Sequence, residues 1–166
     1  MTRLEKVGHD DETGRDLFVT LISSSADVPV DVQLTTRRFV CVIAWDARAA
    51  SIADVSAVAR WLLDSGAVYV CAWGPDCERV HDIIDEEHIG PNPDPTASPP
   101  IMTTWHDEQS LDDVLGFVLT TAMPDDAYVD ECCSTLGISI ESAEWADQIR
   151  AAFTEPRDFV RRWSDE

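Results

Sequence analysis

The stretch that decides the fold is Arg38-Phe-Val-Cys-Val-Ile-Ala-Trp45, an uninterrupted apolar run behind a single arginine. Such a run favours a strand that is covered on both faces, as in a parallel sheet, over a half-exposed strand. Ser51-Ile-Ala-Asp54 follows in the form of a capping box and begins a helix that Gly66 ends. Residues 67–73 are a second buried strand, so the run predicts a strand–helix–strand unit.

The same reading extends outward in both directions from this unit. It predicts helices over residues 77–88, 110–122, 142–153 and 158–163. It predicts further strands over residues 17–23, 101–105, 127–129 and 136–140. Alternation of apolar and polar residues over Val28–Leu34 indicates one more strand, at a sheet edge because of Pro29. The order predicts an α/β, three-layer, Rossmann-like sandwich whose mostly parallel central sheet carries an N-terminal antiparallel or edge strand pair.

The domain organisation follows from length and composition. A chain of 166 residues allows one domain, which we place at residues 17–166. The polar residues 1–16 are predicted as a leader that is free to be mobile, and they lack the apolar core of a signal peptide. Five of the nine prolines lie in residues 90–100, which predicts a proline-rich loop there. The small size and this element order resemble those of bacterial Rossmann-like domains that have no assigned activity.

Charge and cysteine content exclude several classes of partner. The formal net charge is −20, from 32 acidic and 12 basic residues, and Lys6 is the sole lysine. Direct binding to nucleic-acid phosphates or to anionic membranes requires a basic surface, so neither is expected. The sequence contains no apolar run of membrane-spanning length. Five cysteines, an odd number without C-x-x-C spacing, favour a reducing cytoplasmic location.

Three predicted strands end in the same way, with a tryptophan that is followed by a small or polar residue. In an open parallel sheet, ligands bind beyond the carboxyl ends of the strands. We therefore predict a candidate ligand crevice formed by Trp45, Asp46, Trp73, Asp76, Trp105, His106 and Asp107. The alternative is structural: tryptophans at strand ends close the core, and their indole N–H groups bond loop carbonyls.

No complete catalytic, cofactor or metal motif accompanies these residues. The sequence lacks G-x-G-x-x-G and G-x-x-x-x-G-K-[ST], so no cofactor is predicted and the catalytic residues are unknown. His81, Asp85 and His88 share one side of a predicted helix and are weak candidates for a metal face. An ordinary solvated acidic helix explains them better, so no metal site is predicted, and whether the protein is an enzyme stays open.

Two functional hypotheses follow. The first is an acidic, cytoplasmic binding or regulatory module that recognises a protein partner through its charge, and the excess of acidic residues favours a basic partner. The alternative is a nucleotide-like small-ligand binding protein or hydrolase that uses the crevice of tryptophan, aspartate and histidine side chains. Acidic runs are dispersed along the chain, so a generally solubilising or salt-adapted surface also explains the charge.

Overall fold

A six-stranded sheet forms the centre of the computed structural model, which describes residues 3–90 and 99–166. The strands are β1 (Glu5–Asp10), β2 (Arg15–Ile22), β3 (Phe39–Trp45), β4 (Ala67–Trp73), β5 (Met102–His106) and β6 (Ser134–Ile140). Their order is β1-β2-β6-β3-β4-β5, with β1 antiparallel to β2 and every other neighbouring pair parallel. The predicted α/β fold, with a mostly parallel sheet and an N-terminal antiparallel pair, is confirmed. The pair is formed by β1 and β2, and not by the two strands predicted over residues 17–23 and 28–34.

Helices cover both faces of this sheet and make it the middle of three layers. They are α1 (Ile52–Ser65), α2 (Cys77–Ile89), α3 (Leu111–Thr120), α4 (Ala143–Thr154) and α5 (Pro156–Ser164). Buried side chains of α1 and α2 pack on one face, and those of α3, α4 and α5 pack on the other. In the described parts of the chain, no helix combines the length and apolar character needed to cross a membrane.

Local signals in the sequence fix where the first helix begins and ends. The Ser51 hydroxyl accepts a hydrogen bond from the Asp54 N–H at 3.0 Å, and the Asp54 carboxylate accepts one from the Ser51 N–H at 3.0 Å. This capping box satisfies two N–H groups that have no partner inside the helix. Gly66 ends α1 with φ of 110°, and a Cβ there would lie 2.1 Å from the Arg37 carbonyl oxygen, so glycine is required.

The strand predicted over Val28–Leu34 is wrong. These residues form no regular structure, yet Val28, Val32 and Leu34 pack against the core on the face of α1 and α2. Pro29 has no N–H to donate to a ladder, and an irregular segment can bury the same apolar side chains without strand pairing. The alternating pattern therefore reflects contact with the core.

The strand predicted over residues 127–129 is also wrong, because these residues belong to a 3₁₀ helix, Asp126–Glu131. The Asp125 carboxylate accepts a hydrogen bond from the Ala127 N–H at 2.9 Å and begins this helix. A short aspartate-capped turn thus takes precedence over the strand preference of two or three residues. Of the predicted proline-rich loop, residues 91–98 lie outside the described residues.

Residues 1–16, predicted as a polar leader, contain β1, which forms a hairpin with β2. At its turn, the Asp10 carboxylate accepts hydrogen bonds from the Thr13 hydroxyl at 2.7 Å and from the Glu12 N–H at 3.1 Å. Gly14 has φ of 73° and donates its N–H to the Asp10 carbonyl at 2.8 Å. The polar residues of this segment therefore build a turn.

Candidate ligand crevice at the switch point of the sheet

A crevice of about 630 Å³ opens beyond the carboxyl ends of β3 and β6. We call it the switch-point crevice. It is lined by Asp46, Arg48 and Ala49 after β3, by Ile140, Glu141 and Ser142 at the end of β6, and by Trp145 of α4.

The winding of the chain explains why a crevice forms between these two strands. From β3 the chain enters α1, which packs on one face of the sheet, and from the neighbouring β6 it enters α4, which packs on the other. The two connections therefore separate above adjacent strand ends and leave an opening between them. This is the topological switch point, where open α/β sheets bind their ligands.

The β3–α1 loop forms one wall of the crevice around an ion pair. The Arg48 guanidinium donates to both Asp46 carboxylate oxygens, with Nε at 2.8 Å and one terminal nitrogen at 2.6 Å. These hydrogen bonds lower the pKa of Asp46 and raise that of Arg48. Both groups stay charged at neutral pH and neutralise each other, so the guanidinium is not a free cation for a phosphate group.

A second ion pair holds this loop in place from α2. The Arg79 guanidinium donates hydrogen bonds to the carbonyl oxygens of Ala47 and Ala50, the latter at 3.0 Å. Asp76 in turn accepts from Arg79 at 2.7 Å. Asp76, which was predicted as a crevice residue, is therefore a positioning residue: it orients the arginine that fixes the loop.

The β6–α4 turn forms the opposite wall and contains an unusual backbone conformation. Glu141 has φ of 68°, in the left-handed region that residues other than glycine rarely adopt. Its N–H donates to the Ile22 carbonyl at 2.8 Å, which anchors the turn to β2. Ser142 then caps α4 by accepting the Trp145 N–H at 3.2 Å. Strained residues of this kind concentrate at binding sites, so the turn marks the crevice as a functional candidate.

Two indole rings support the side of the crevice next to α4. The rings of Trp73 and Trp145 meet edge to face, with centroids 5.0 Å apart and an interplanar angle of 80°. The Trp73 Nε1–H donates to the Gln109 carbonyl at 2.8 Å. Trp145 lines the crevice, and Trp73 fixes the position of its ring from behind.

The structure does not bring the three strand-end tryptophans together. Ala44 lies opposite Trp73 in the register, and Ala72 lies opposite Trp105, so each pair shares a face of the sheet. Because successive residues of a strand point to opposite faces, Trp45 and Trp105 lie on the face of α1 and α2, whereas Trp73 lies on the other. Trp45 is 3 % exposed and is part of the core.

His106 lies away from the crevice, on the face of α3. Its Nδ1–H donates to the Gln109 side-chain oxygen, and its Nε2 lies 2.9 Å from the Thr104 hydroxyl. The ring packs against Phe117 with centroids 5.0 Å apart. Both ring nitrogens thus have protein partners, and the buried imidazole acts as a core side chain. Asp107 follows it on the exposed surface.

Two of the three weak metal candidates on α2, His81 and Asp85, form hydrogen bonds with neighbouring side chains. The His81 ring nitrogens lie 2.9 Å from an Asp82 carboxylate oxygen and 3.5 Å from one of Asp85. Across the described residues, no group of three or more histidine, cysteine, aspartate or glutamate side chains is arranged to hold a metal ion. His88 therefore joins no such group.

The sequence reading named Asp46 but missed the other wall of the crevice. The sequence does contain a signal for this wall. Glu141 and Ser142 directly follow the predicted strand 136–140, Ser142 has the position of a helix N-cap, and Trp145 lies in the first turn of that helix. What the sequence lacks is strand order, and only the adjacency of β6 to β3 places these residues opposite Asp46.

Comparison with known proteins adds a family. A family model described as "Domain of unknown function (DUF7684)" matches residues 19–156. This range includes β3, β6 and all seven residues that line the crevice. No curated protein matches the chain.

Proposed function

We propose that this chain, which belongs to the DUF7684 family of domains of unknown function, binds a small ligand in the switch-point crevice. The observation that carries the proposal is the position of the crevice, at the point where the connections after β3 and β6 part to opposite faces. Both walls are fixed by hydrogen bonds to other elements, so the site is preformed.

The charges around the crevice indicate the class of ligand. Asp46 and Arg48 neutralise each other, which leaves the Glu141 carboxylate as the uncompensated charge among the lining residues. Trp145 offers a flat apolar surface. A planar ligand that is neutral or positively charged and donates hydrogen bonds suits this lining, whereas a polyphosphate would be repelled.

The lining residues support binding better than catalysis. Ser142 uses its hydroxyl oxygen to accept the Trp145 N–H, and the described residues that line the crevice include no histidine or cysteine. Nucleophilic catalysis requires a nucleophile and a base within hydrogen-bond reach of each other. We therefore favour a non-catalytic binding module over the hydrolase alternative.

Calorimetric titration with three probes tests this proposal. Benzamidine is planar and cationic, adenosine is planar and neutral, and ATP carries a triphosphate. We expect benzamidine to bind most tightly and ATP not to bind. Glu141→Gln should lower the affinity for benzamidine by a factor of about ten. The matched control Glu86→Gln removes an equal charge from the exposed side of α2 and is expected to leave the affinity unchanged.

Two outcomes would contradict the proposal. One is equal weakening by the two variants, which would mean that only net charge matters. The other is the absence of binding by all three probes.

A second candidate function is recognition of a basic protein partner, which would make the domain a regulatory module. The net charge of −20 favours it, because complementary charge accelerates association. A cytoplasmic location belongs to the same proposal and is supported by five free cysteines. The excess of acidic residues also supports the proposal that the protein does not bind nucleic acid directly.

A further inference from the structure

β5 is the last strand at one edge of the sheet. This strand pairs with β4 on one side, and no strand in the described residues pairs with it on the other. We propose that this edge docks an extended segment of a partner protein that carries lysine or arginine and pairs with β5 as an additional strand. The inference rests on the second proposed function and is independent of the switch-point crevice.

The backbone of β5 supplies the first part of the argument. Alternate residues of a strand direct their N–H and C=O groups to opposite sides, so part of this strand faces away from β4. Outside the ladder with β4, no backbone–backbone hydrogen bond involves residues 102–106 within the described parts of the chain. An unpaired row of donors and acceptors is a template for strand addition, which main-chain hydrogen bonds stabilise.

The side chains of β5 do not protect this edge. Natural edge strands are commonly protected by lysine or proline, and Met102–His106 contains neither. Instead, Met102 is 42 % exposed on one face and Trp105 is 43 % exposed on the other. The exposed indole is a favourable contact for the ammonium or guanidinium group of a docked strand.

Two carboxylates lie beside the histidine that packs against this indole. The His81 ring packs against Trp105 with centroids 4.6 Å apart, and both Asp82 and Asp85 lie within ion-pair distance of His81. Asp85 also accepts a hydrogen bond from the Thr103 hydroxyl at 2.6 Å, which ties α2 to the edge strand.

Three further acidic residues lie at the same edge. Glu78 is exposed three residues before His81 on α2, and Asp107 and Glu108 are exposed directly after β5. Among the described residues, no lysine or arginine forms an ion pair with any of these five carboxylates. Two of them, Asp82 and Asp85, lie within 3.5 Å of a His81 ring nitrogen. The edge thus has the charge that a basic segment complements.

The charge also decides between possible occupants. A second copy of this chain would bring the same carboxylates and a further −20 to the interface, which disfavours edge-to-edge pairing. Residues 91–98 of the chain itself contain Asp94 and no lysine or arginine, so they cannot supply the cation. A basic partner strand therefore fits the edge best.

The test uses a short acetylated peptide of alternating lysine and threonine, with a glutamate–threonine peptide of equal length as the reverse-charge probe. Binding to the full chain is measured by fluorescence anisotropy, and the site is located by amide chemical shifts. We expect the lysine peptide to bind with shifts in residues 102–106 and α2, and the glutamate peptide not to bind. Trp105→Ala should weaken binding by about fivefold.

A charge-matched pair of double variants separates this site from general electrostatics. Glu78→Gln with Asp82→Asn removes two carboxylates beside β5, and Asp11→Asn with Glu12→Gln removes two exposed ones at the opposite edge of the sheet. All four residues are on the surface, so both proteins should fold. The first pair of substitutions should lower the affinity for the lysine peptide by at least about fivefold, and the second pair by less than about twofold.

Four results would overturn the inference. Equal weakening by the two pairs, or shifts centred away from β5, would show that a basic peptide binds elsewhere and would leave the second proposed function standing. Dimerisation of the unliganded chain through β5 would assign the edge to a second copy. Absence of binding by the lysine peptide would remove both the docking site and the support for a basic partner.

Discussion

Replacing Glu141 by glycine should make the protein more stable while removing a group that we assign to ligand binding. Glu141 has φ of 68°, and its carboxylate forms no hydrogen bond or ion pair among the described residues. A residue with a Cβ is strained in this conformation, whereas glycine is not. The wild-type side chain thus costs stability at a place where nothing in the folded chain requires it.

The magnitude follows from two opposing contributions. Relief of the left-handed strain favours the variant by about 1–2 kcal/mol. The greater freedom of glycine in the unfolded chain costs about 0.5–1 kcal/mol. The expected net gain spans about 0–1.5 kcal/mol. Its midpoint, about 0.75 kcal/mol, raises Tm by about 1.5–3 °C for a chain of this size.

Urea unfolding followed by circular dichroism measures this gain, with Glu141→Ala as the matched control. Alanine also removes the carboxylate but keeps the strained Cβ, so its stability should stay close to that of the wild type. Affinity for benzamidine should fall in both variants. A glycine variant less stable than the alanine variant would refute the strain argument, and a glycine variant that keeps full affinity would remove Glu141 from the site.

The remaining predictions concern the core, the pH dependence and the thiols. Gly137→Ala places a Cβ 2.4 Å from Cγ2 of Ile149 and should cost about 1–3 kcal/mol in urea unfolding. Adding Ile149→Leu, which removes Cγ2 because leucine has no branch at Cβ, should recover part of this loss, and no recovery would contradict the packing argument. Hydrogen bonds, above all from the Thr35 hydroxyl, lower the pKa of Asp16 to about 2. The contribution of Asp16 to stability is therefore present above about pH 4 and lost as the pH falls towards 2. Asp16→Asn should reduce the fall in the free energy of unfolding over this pH range, and an unchanged pH dependence would contradict this prediction. Cys133 is the one thiol among the five that is not buried, so a thiol reagent should label it first in the folded protein, and rapid labelling of more than one thiol would contradict the described burial.

The apolar runs of the sequence predict the centre of the fold well, because a short run of apolar residues without polar interruptions is best accommodated by a central strand that is buried on both faces. β3, β4 and β6 are buried along almost their whole length, and each was predicted at or close to its observed bounds. β1 was not predicted, because Glu5–Asp10 is mostly polar and lies at the edge of the sheet. Pairing with β2 through a tight turn, and not burial, makes it a strand.

The candidate site was predicted only in part, for a reason of register. Sequence places tryptophans at three strand ends, but it does not show that Trp45 and Trp73 are offset by one residue in the pairing of β3 with β4. One residue of offset sends a side chain to the opposite face. The prediction for Asp46 does not depend on the strand register, because this residue lies in the loop beyond the strand end, where it lines the crevice.

Amide chemical-shift mapping of a benzamidine titration tests the central claim most directly, because it locates a ligand without assuming its site. The switch-point crevice predicts saturable shifts concentrated in residues 46–49 and 140–145, and their loss in Glu141→Gln. Shifts concentrated at β5 or around His106, or no saturable shift at about millimolar benzamidine, would contradict it.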